Sequence, residues 1–346
     1  MIADTWRFPA EWEQQQGVLL CFPHNGNDWP GKYGAIQWAF VEFIKKVADV
    51  EQVILLVASE NLKISVLEKL KMADVNIKNA SFIIQKTNRS WMRDSGPIII
   101  KKGSERKALN FNFNGWAKYN NYKLDEHVPE KVASFLNMPL TQVTYKGKPV
   151  VLEGGAIDVN GKGTLLTSEE CLLDPKVQVR NEGFTKGDYE TIFKDHLGIT
   201  NTIWLGNGIE GDDTHGHIDD LARFVNEDTI ITVVETDTED QNYKLLQDNL
   251  NRLKAAVLEN GKTPNIVTLP MPKRLIFDGI RIPASYANFL IINSVVLVPT
   301  FNDERDREAL NIISDCFPDR KVIGISAIDL IWGFGTLHCL SQQIPL

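Results

Sequence analysis

Val150-Val151-Leu152-Glu153-Gly154-Gly155-Ala156-Ile157-Asp158-Val159-Asn160-Gly161-Lys162-Gly163-Thr164-Leu165-Leu166-Thr167 is the stretch from which the architecture of this 346-residue chain is best read. Two apolar, β-branched runs flank Asn160-Gly161, a pair that accepts the positive φ angles of a tight hairpin turn. The segment therefore predicts strands at 150–159 and 163–167. A segment of helical period follows at 188–197, and a further strand at 202–205.

The same grouping returns along the chain. Strand signals fall at 17–22, 52–57, 81–85, 97–100, 108–113, 229–234, 265–269, 289–298 and 321–325, each bounded by Gly, Pro, Asn or Asp. Helical periods lie between them at 35–47, 61–72, 125–136, 241–259 and 304–316. In 241–259, Leu245, Leu246, Leu250, Leu253 and Val257 fall near one face. A set of strands with one helix recurs roughly every 60–70 residues, which suggests internal structural repetition. No Ser/Pro/Gly-rich linker divides the chain. The expectation is α/β, one compact domain over residues 1–346.

Composition narrows the function classes. A hydrophobic fraction of 43% with 24% charged residues can fill a sizeable core. The net charge of −8 argues against a nucleic-acid partner and mildly favours cationic small molecules. Cys21, Cys171, Cys316 and Cys339 form no Cys-x-x-Cys pair, so no zinc ribbon or disulfide framework is expected. Met1-Ile2-Ala3-Asp4-Thr5-Trp6 lacks the basic-then-apolar pattern of a secretory leader, and the longest apolar stretch, near 289–298, is too short to span a bilayer. A cytoplasmic protein with no membrane partner is expected. A homo-oligomer is compatible with the sequence.

Three segments carry chemistry. Cys339 lies near the C-terminus in Gly333-Phe334-Gly335-Thr336-Leu337-His338-Cys339, where glycines permit close approach to a ligand. A buried, inert thiol is the competing reading. Cys21, Cys171 and Cys316 lie in or beside apolar segments and read as core. Asp212-Asp213-Thr214-His215-Gly216-His217-Ile218-Asp219-Asp220 fits three readings. If extended, it would put His215, His217 and Asp219 on one face of a cavity. It could instead ligate a metal through His215, His217, Asp213 and Asp219, or form an exposed turn. In Trp91-Met92-Arg93-Asp94-Ser95-Gly96-Pro97, Asp94 is either a turn cap or a carboxylate clamp beside the Trp91 wall, suited to a planar guanidinium with forked donors. Glu153, arriving after an apolar run, needs a buried partner.

These residues resemble a known family. Trp91 to Pro97, Glu153-Gly154-Gly155-Ala156-Ile157 with Thr167-Ser168-Glu169-Glu170-Cys171-Leu172-Leu173, Gly216-His217-Ile218-Asp219, and His338-Cys339-Leu340-Ser341-Gln342-Gln343-Ile344-Pro345 are similar to the motifs of the agmatine deiminases. That family stands beside the Porphyromonas-type peptidylarginine deiminases in the guanidine-modifying (pentein) superfamily, and the resemblance runs from Trp12 to Pro345. It implies a five-fold pseudo-symmetric α/β propeller built from strand-strand-helix-strand units. It implies hydrolysis of agmatine to N-carbamoylputrescine and ammonia through a covalent thiouronium on Cys339, with no cofactor and no metal. Cys339 would be the nucleophile, His217 the general acid and base, Asp94 and Asp219 the guanidinium ligands, Glu153 the support of His217, and Trp91 a pocket wall. Free or peptidyl arginine is the alternative substrate; a metal-dependent hydrolase and a binding protein without activity are more distant ones. The chain departs from the family pattern at His215 and Thr336, and in 22–29.

Overall fold

The computed structural model describes residues 5–346; residues 1–4, part of the N-terminal stretch read above for a leader, lie outside the described residues. Its strands form five sheets with one shared plan, together with two small hairpins. In each, a first strand runs antiparallel to a second, and helix follows before a third strand parallel to the second. The sets are Ile98–Lys102, Glu105–Asn110 and Leu140–Gln142; Asp158–Val159, Thr164–Ser168 and Asn201–Leu205; Ala222–Phe224, Thr229–Val234 and Asn265–Pro270; and Leu290–Ile292, Val295–Thr300 and Lys321–Ser326. In the fifth sheet the C-terminal strand Ser341–Pro345 supplies the antiparallel partner of Gln15–Cys21. Gln52–Val57 and Ala80–Ile84 extend that sheet in parallel.

The inner strands Gln52–Val57, Thr164–Ser168, Thr229–Val234 and Val295–Thr300 are largely buried on both faces, which explains why most of them read as near-continuous apolar runs. Outer strands such as Asn265–Pro270 and Lys321–Ser326 stay partly exposed. Val53, Leu55, Leu56 and Val57 are all fully enclosed. Helices cover the sheets with apolar stripes. Tyr33–Ala48 buries Ile36, Phe40, Phe43, Ile44 and Val47, each worth about 1.5–3 kcal/mol of transfer free energy. Phe40, edge-on to both Phe22 and Phe43, is a position where truncation to Ala costs about 3–5 kcal/mol. Among the described residues no helix is long and apolar enough to cross a membrane.

Several expectations need correction. Residues 150–157 are not a strand: Gly154–Ala156 form a 3₁₀ turn, and only Asp158–Val159 pair with the next strand. The reason is packing, because the glycines press against Arg93 and His217, where a regular strand bearing Cβ atoms would not fit. The run 289–298 is a hairpin, Leu290–Ile292 with Val295–Thr300, turning at Asn293-Ser294. Helix 241–259 stops at Ala255, and 188–197 is the helix Lys186–Ile192 followed by a π-helical turn, Phe193–Leu197.

Candidate active site

The shared plan places the site. Each sheet's first strand is preceded by a short turn, and the candidate residues stand on those turns: Asp94 on Met92–Ser95, Glu153 and Gly155 at Gly154–Ala156, His217 and Asp219 at Ile218–Asp220, and Cys339 before Ser341–Pro345. The remaining turn, before Leu290–Ile292, presents Asn288.

Cys339 is buried, with Sγ 3.5 Å from Asp219 Oδ2, to which the thiol donates. Asn288 Nδ2 donates to the same sulfur at 3.0 Å. Asp219 Oδ2 also accepts from His338 Nδ1 at 2.7 Å, while His338 Nε2 lies 2.8 Å from Glu11 Oε2. His338 thus bridges the two carboxyl groups through its two ring nitrogens. Glu11 in turn accepts from Arg223 at 2.8 Å, and Arg223 bonds Asp158 at 3.1 Å. A continuous chain of buried charge therefore leads from the sulfur into the core. Burial pushes the thiol well above its ordinary range, and the charges of Asp219, Asp220 and Asp94 push it the same way.

His217 is fully buried, yet neither ring nitrogen has a hydrogen-bond partner among the described residues. Nδ1 lies 3.9 Å from Asp94 Oδ1 and 4.0 Å from Asp219 Oδ1; Nε2 lies 4.0 Å from Glu153 Oε2. Burial alone would disfavour the imidazolium, but Asp94, Cys171 and Asp219 outweigh it and raise the group well above the ordinary histidine range. Its loop is held by Asp212, whose Oδ2 accepts from the backbone of Gly216 at 2.7 Å and of His217 at 3.1 Å. Glu153 has the buried partner it required: Arg180 Nε donates to its Oε1 at 2.9 Å, with both side chains at 0% exposure. Asp94 accepts from Gly155 N at 3.1 Å and from Trp116 Nε1 at 2.9 Å. Burial, reinforced by Asp219 and Glu153 against the opposing pull of His217, lifts its carboxyl to about 6.

Above these groups lies a cavity of about 160 Å³ that reaches Cys339 and Asp94, with Trp91, Trp116 and Tyr119 as aromatic walls. Its charged lining is Asp28, Asp94 and Asp213 against the single cation Arg89, so the field inside favours a cationic guest. Arg89 is already occupied: it pairs with Asp28 at 2.5 Å, bonds Asn121 at 2.7 Å and stacks on Tyr119. A planar cation between the indoles would present donors to Asp94 below and to the unpartnered Asp219 Oδ1 beyond it.

Cys339, His217, Asp94, Asp219, Glu153 and Trp91 are thus brought together, though not as an extended segment would arrange them. His215 has φ +65°, and a 3₁₀ turn follows His217, so His215 turns away to bond Asp174 at 3.0 Å while His217 and Asp219 converge. Asp213 bonds Tyr119 and Lys118 instead. The metal set of His215, His217, Asp213 and Asp219 is therefore not assembled. Two other groups have metal-ligand chemistry, Glu153 with Cys171 and His217, and Asp219 with Asp220 and Cys339, each with donor atoms within 4.8 Å of one another. Asn288, Glu11, Arg180 and Trp116 were not among the residues read from the sequence. Glu153's need for a buried partner pointed to a group such as Arg180 without locating it, and the Asn114-Gly115-Trp116 break after an apolar strand was a signal for Trp116.

The chain is similar to known proteins over almost its whole length. The family model of the Porphyromonas-type peptidyl-arginine deiminases matches residues 7–345. An agmatine deiminase of Enterococcus faecalis superposes with a TM-score of 0.90 at 28% identity, covering 98% of this chain and 96% of that one. The C. jejuni agmatine deiminase, solved as a cysteine-to-serine variant with substrate bound, has a TM-score of 0.88 at 34% identity over the same shares. An amidinotransferase from Microseira wollei, at 12% identity and a TM-score of 0.52 over 99% of this chain and 97% of that one, shares the fold alone. With the model spanning almost the whole length, the chain belongs to the Porphyromonas-type peptidyl-arginine deiminase family.

Proposed function

We propose that this chain is a hydrolase that deiminates a small guanidine, with agmatine as substrate and N-carbamoylputrescine and ammonia as products. The observation that carries this reading is one cavity reaching both the Cys339 sulfur and the Asp94 carboxyl, over a buried imidazole flanked by Asp94, Asp219 and Glu153. On this reading the five sheets form one domain over residues 1–346, a five-fold pseudo-symmetric α/β propeller whose five turns meet at the site.

Asp94 and Asp219 hold the guanidinium with its central carbon facing Cys339 Sγ. The carboxylates that keep the resting thiol protonated are offset by the incoming cation, so the thiol releases its proton to solvent water through the cavity as substrate binds. The thiolate forms a C–S bond, giving a tetrahedral adduct. Protonated His217 gives its proton to one nitrogen, the C–N bond breaks, and ammonia leaves a thiouronium on sulfur. Neutral His217 then takes a proton from water as its oxygen adds to the same carbon. The C–S bond breaks, Cys339 recovers a proton, and the urea product keeps the water oxygen.

Asp213 also lines the cavity and already holds the Lys118 ammonium at 2.6 Å, a place where the primary amine of agmatine would exchange for the lysine. Arg89 favours a second reading, since a free arginine would offer it an α-carboxylate; its engagement by Asp28 weighs against that. Ammonia release from agmatine, arginine and a C-terminal arginine peptide decides between them. Agmatine is expected to have the highest kcat/KM, and no release from any of the three would overturn the proposal.

A further inference from the structure

We infer that Phe334 is a specificity-determining residue of this site, its ring forming the wall along which the methylene chain of an alkylguanidine runs. The inference rests on the deiminase reading for its substrate and on the backbone at 333–335 for its substance. Phe334 has φ +69° and ψ +20°, a left-handed conformation that a bulky side chain rarely adopts. Such an outlier persists only where its surroundings impose it.

They do so here. Gly333 N–H donates to Leu330 O at 3.1 Å and Phe334 N–H to Ile331 O at 2.8 Å, while Leu330 O also accepts from Trp29 Nε1 at 3.0 Å. On either side of Phe334 the backbone lies too close to its neighbours for a side chain. A Cβ at Gly333 would stand 2.6 Å from Trp29 Nε1, and one at Gly335 would stand 2.9 Å from Trp91 and 3.0 Å from Cys339 Cβ. Residues 333, 334 and 335 all line the cavity, and 334 is the one of the three that can present a side chain to it. Glycine would sit at 334 without strain, so the ring is there despite its backbone.

Its place gives the ring a use. Gly335 abuts the nucleophile, a Cβ there lying 3.3 Å from Cys339 Sγ, so residue 334 stands one step outward from the reacting end. A guanidinium held by Asp94 leaves that end by its alkyl chain, which has no donors or acceptors and is stabilised by covering an apolar face. With Trp91, Trp116 and Tyr119, Phe334 is the fourth aromatic residue of the lining. It packs against the core yet stays half-buried, as a wall facing a guest requires.

The test is titration calorimetry of the Cys339→Ser protein, which lacks the nucleophilic thiol, with methyl-, ethyl-, propyl- and butylguanidine. Each added methylene should tighten Kd about fourfold, the effect of burying one CH₂. With Phe334→Gly added, the factor should fall to about twofold or less, while Kd for methylguanidine stays within about twofold. Glycine accepts the left-handed backbone, so the loop carrying residue 339 is undisturbed. Phe334→Asn, which also tolerates that conformation, repeats the test should the glycine variant not fold. A factor still near fourfold in either folded variant, or a loss as large for methylguanidine as for butylguanidine, overturns the assignment. That result would leave the deiminase reading standing, because guanidines still bind. Conversely, factors as expected with no ammonia released from any guanidine would remove the reaction and keep the wall.

Discussion

Gly155→Ala is the change that tests the site geometry most sharply for its size. A Cβ at this position would stand 2.5 Å from His217 Nδ1 and 2.8 Å from Asp94 Oδ1. Ordinary contact begins near 3.4 Å, so the imidazole must retreat by about 0.9 Å and the carboxylate by about 0.6 Å. The backbone there does not lie in the left-handed region, so the methyl group itself is the whole perturbation. Displacements of about 1 Å in a positioned catalytic group cost about 100-fold in rate, or about 2.7 kcal/mol of transition-state stabilisation. The same overpacking should lower folding stability by only about 1–3 kcal/mol, so the variant remains folded. The assay is initial-rate ammonia release from agmatine, with urea unfolding run in parallel. Gly34→Ala, where a Cβ meets nothing within 4 Å on the helix Tyr33–Ala48, serves as a silent control. A Gly155→Ala enzyme with a folded protein's stability and a kcat within about threefold of wild type would refute the placement of His217 against Asp94 in catalysis.

Three further outcomes follow from the same geometry. Asp94 must be ionised to hold a cation, and its carboxyl sits at about 6, so kcat/KM should fall as pH drops through about 6. Trp116→Phe removes a donor to the ionised form and should move this acid limb upward by about 1 unit; a limb that stays in place would remove Asp94 from capture of the cation. Arg180→Met leaves the Glu153 carboxylate buried without its partner and should cost about 3–5 kcal/mol in urea unfolding, whereas a loss under about 1 kcal/mol would mean the pair is dispensable. Asp213 already holds Lys118, so exchange for the agmatine amine gains little: Asp213→Asn should raise KM for agmatine about two- to fivefold, yet leave butylguanidine, which lacks the amine, unchanged. Equal effects on both substrates would take the amine away from Asp213.

Much of this was legible from local pattern. The hairpin turn at Asn160-Gly161 and the helical period of 241–259 report backbone preferences over a few residues, and both correspond to observed elements. The first strands of the sheets were harder, because Ala222–Phe224 and Leu290–Ile292 are three residues long and show no period within such a window. Cys339, His217 and Asp94 stand out chemically in their own segments. Their partners do not, since the bonds that give them meaning are long-range: Glu11 to His338 spans 327 residues, and Arg180 to Glu153 joins two loops with no shared motif. The His215 reading failed for a backbone reason. A left-handed residue followed by a 3₁₀ turn breaks the alternation on which same-face arguments depend.

The central claim is a bond between Cys339 sulfur and a guanidine carbon. Rapid acid quench of the wild-type enzyme during turnover of agmatine, followed by mass spectrometry of the Cys339 peptide, reads it directly. The expected result is a transient mass gain equal to agmatine less ammonia, located on Cys339 and gone when substrate is exhausted. Product accumulating at full rate with Cys339 unmodified at every quench time, and Cys339→Ser still turning over, would contradict it.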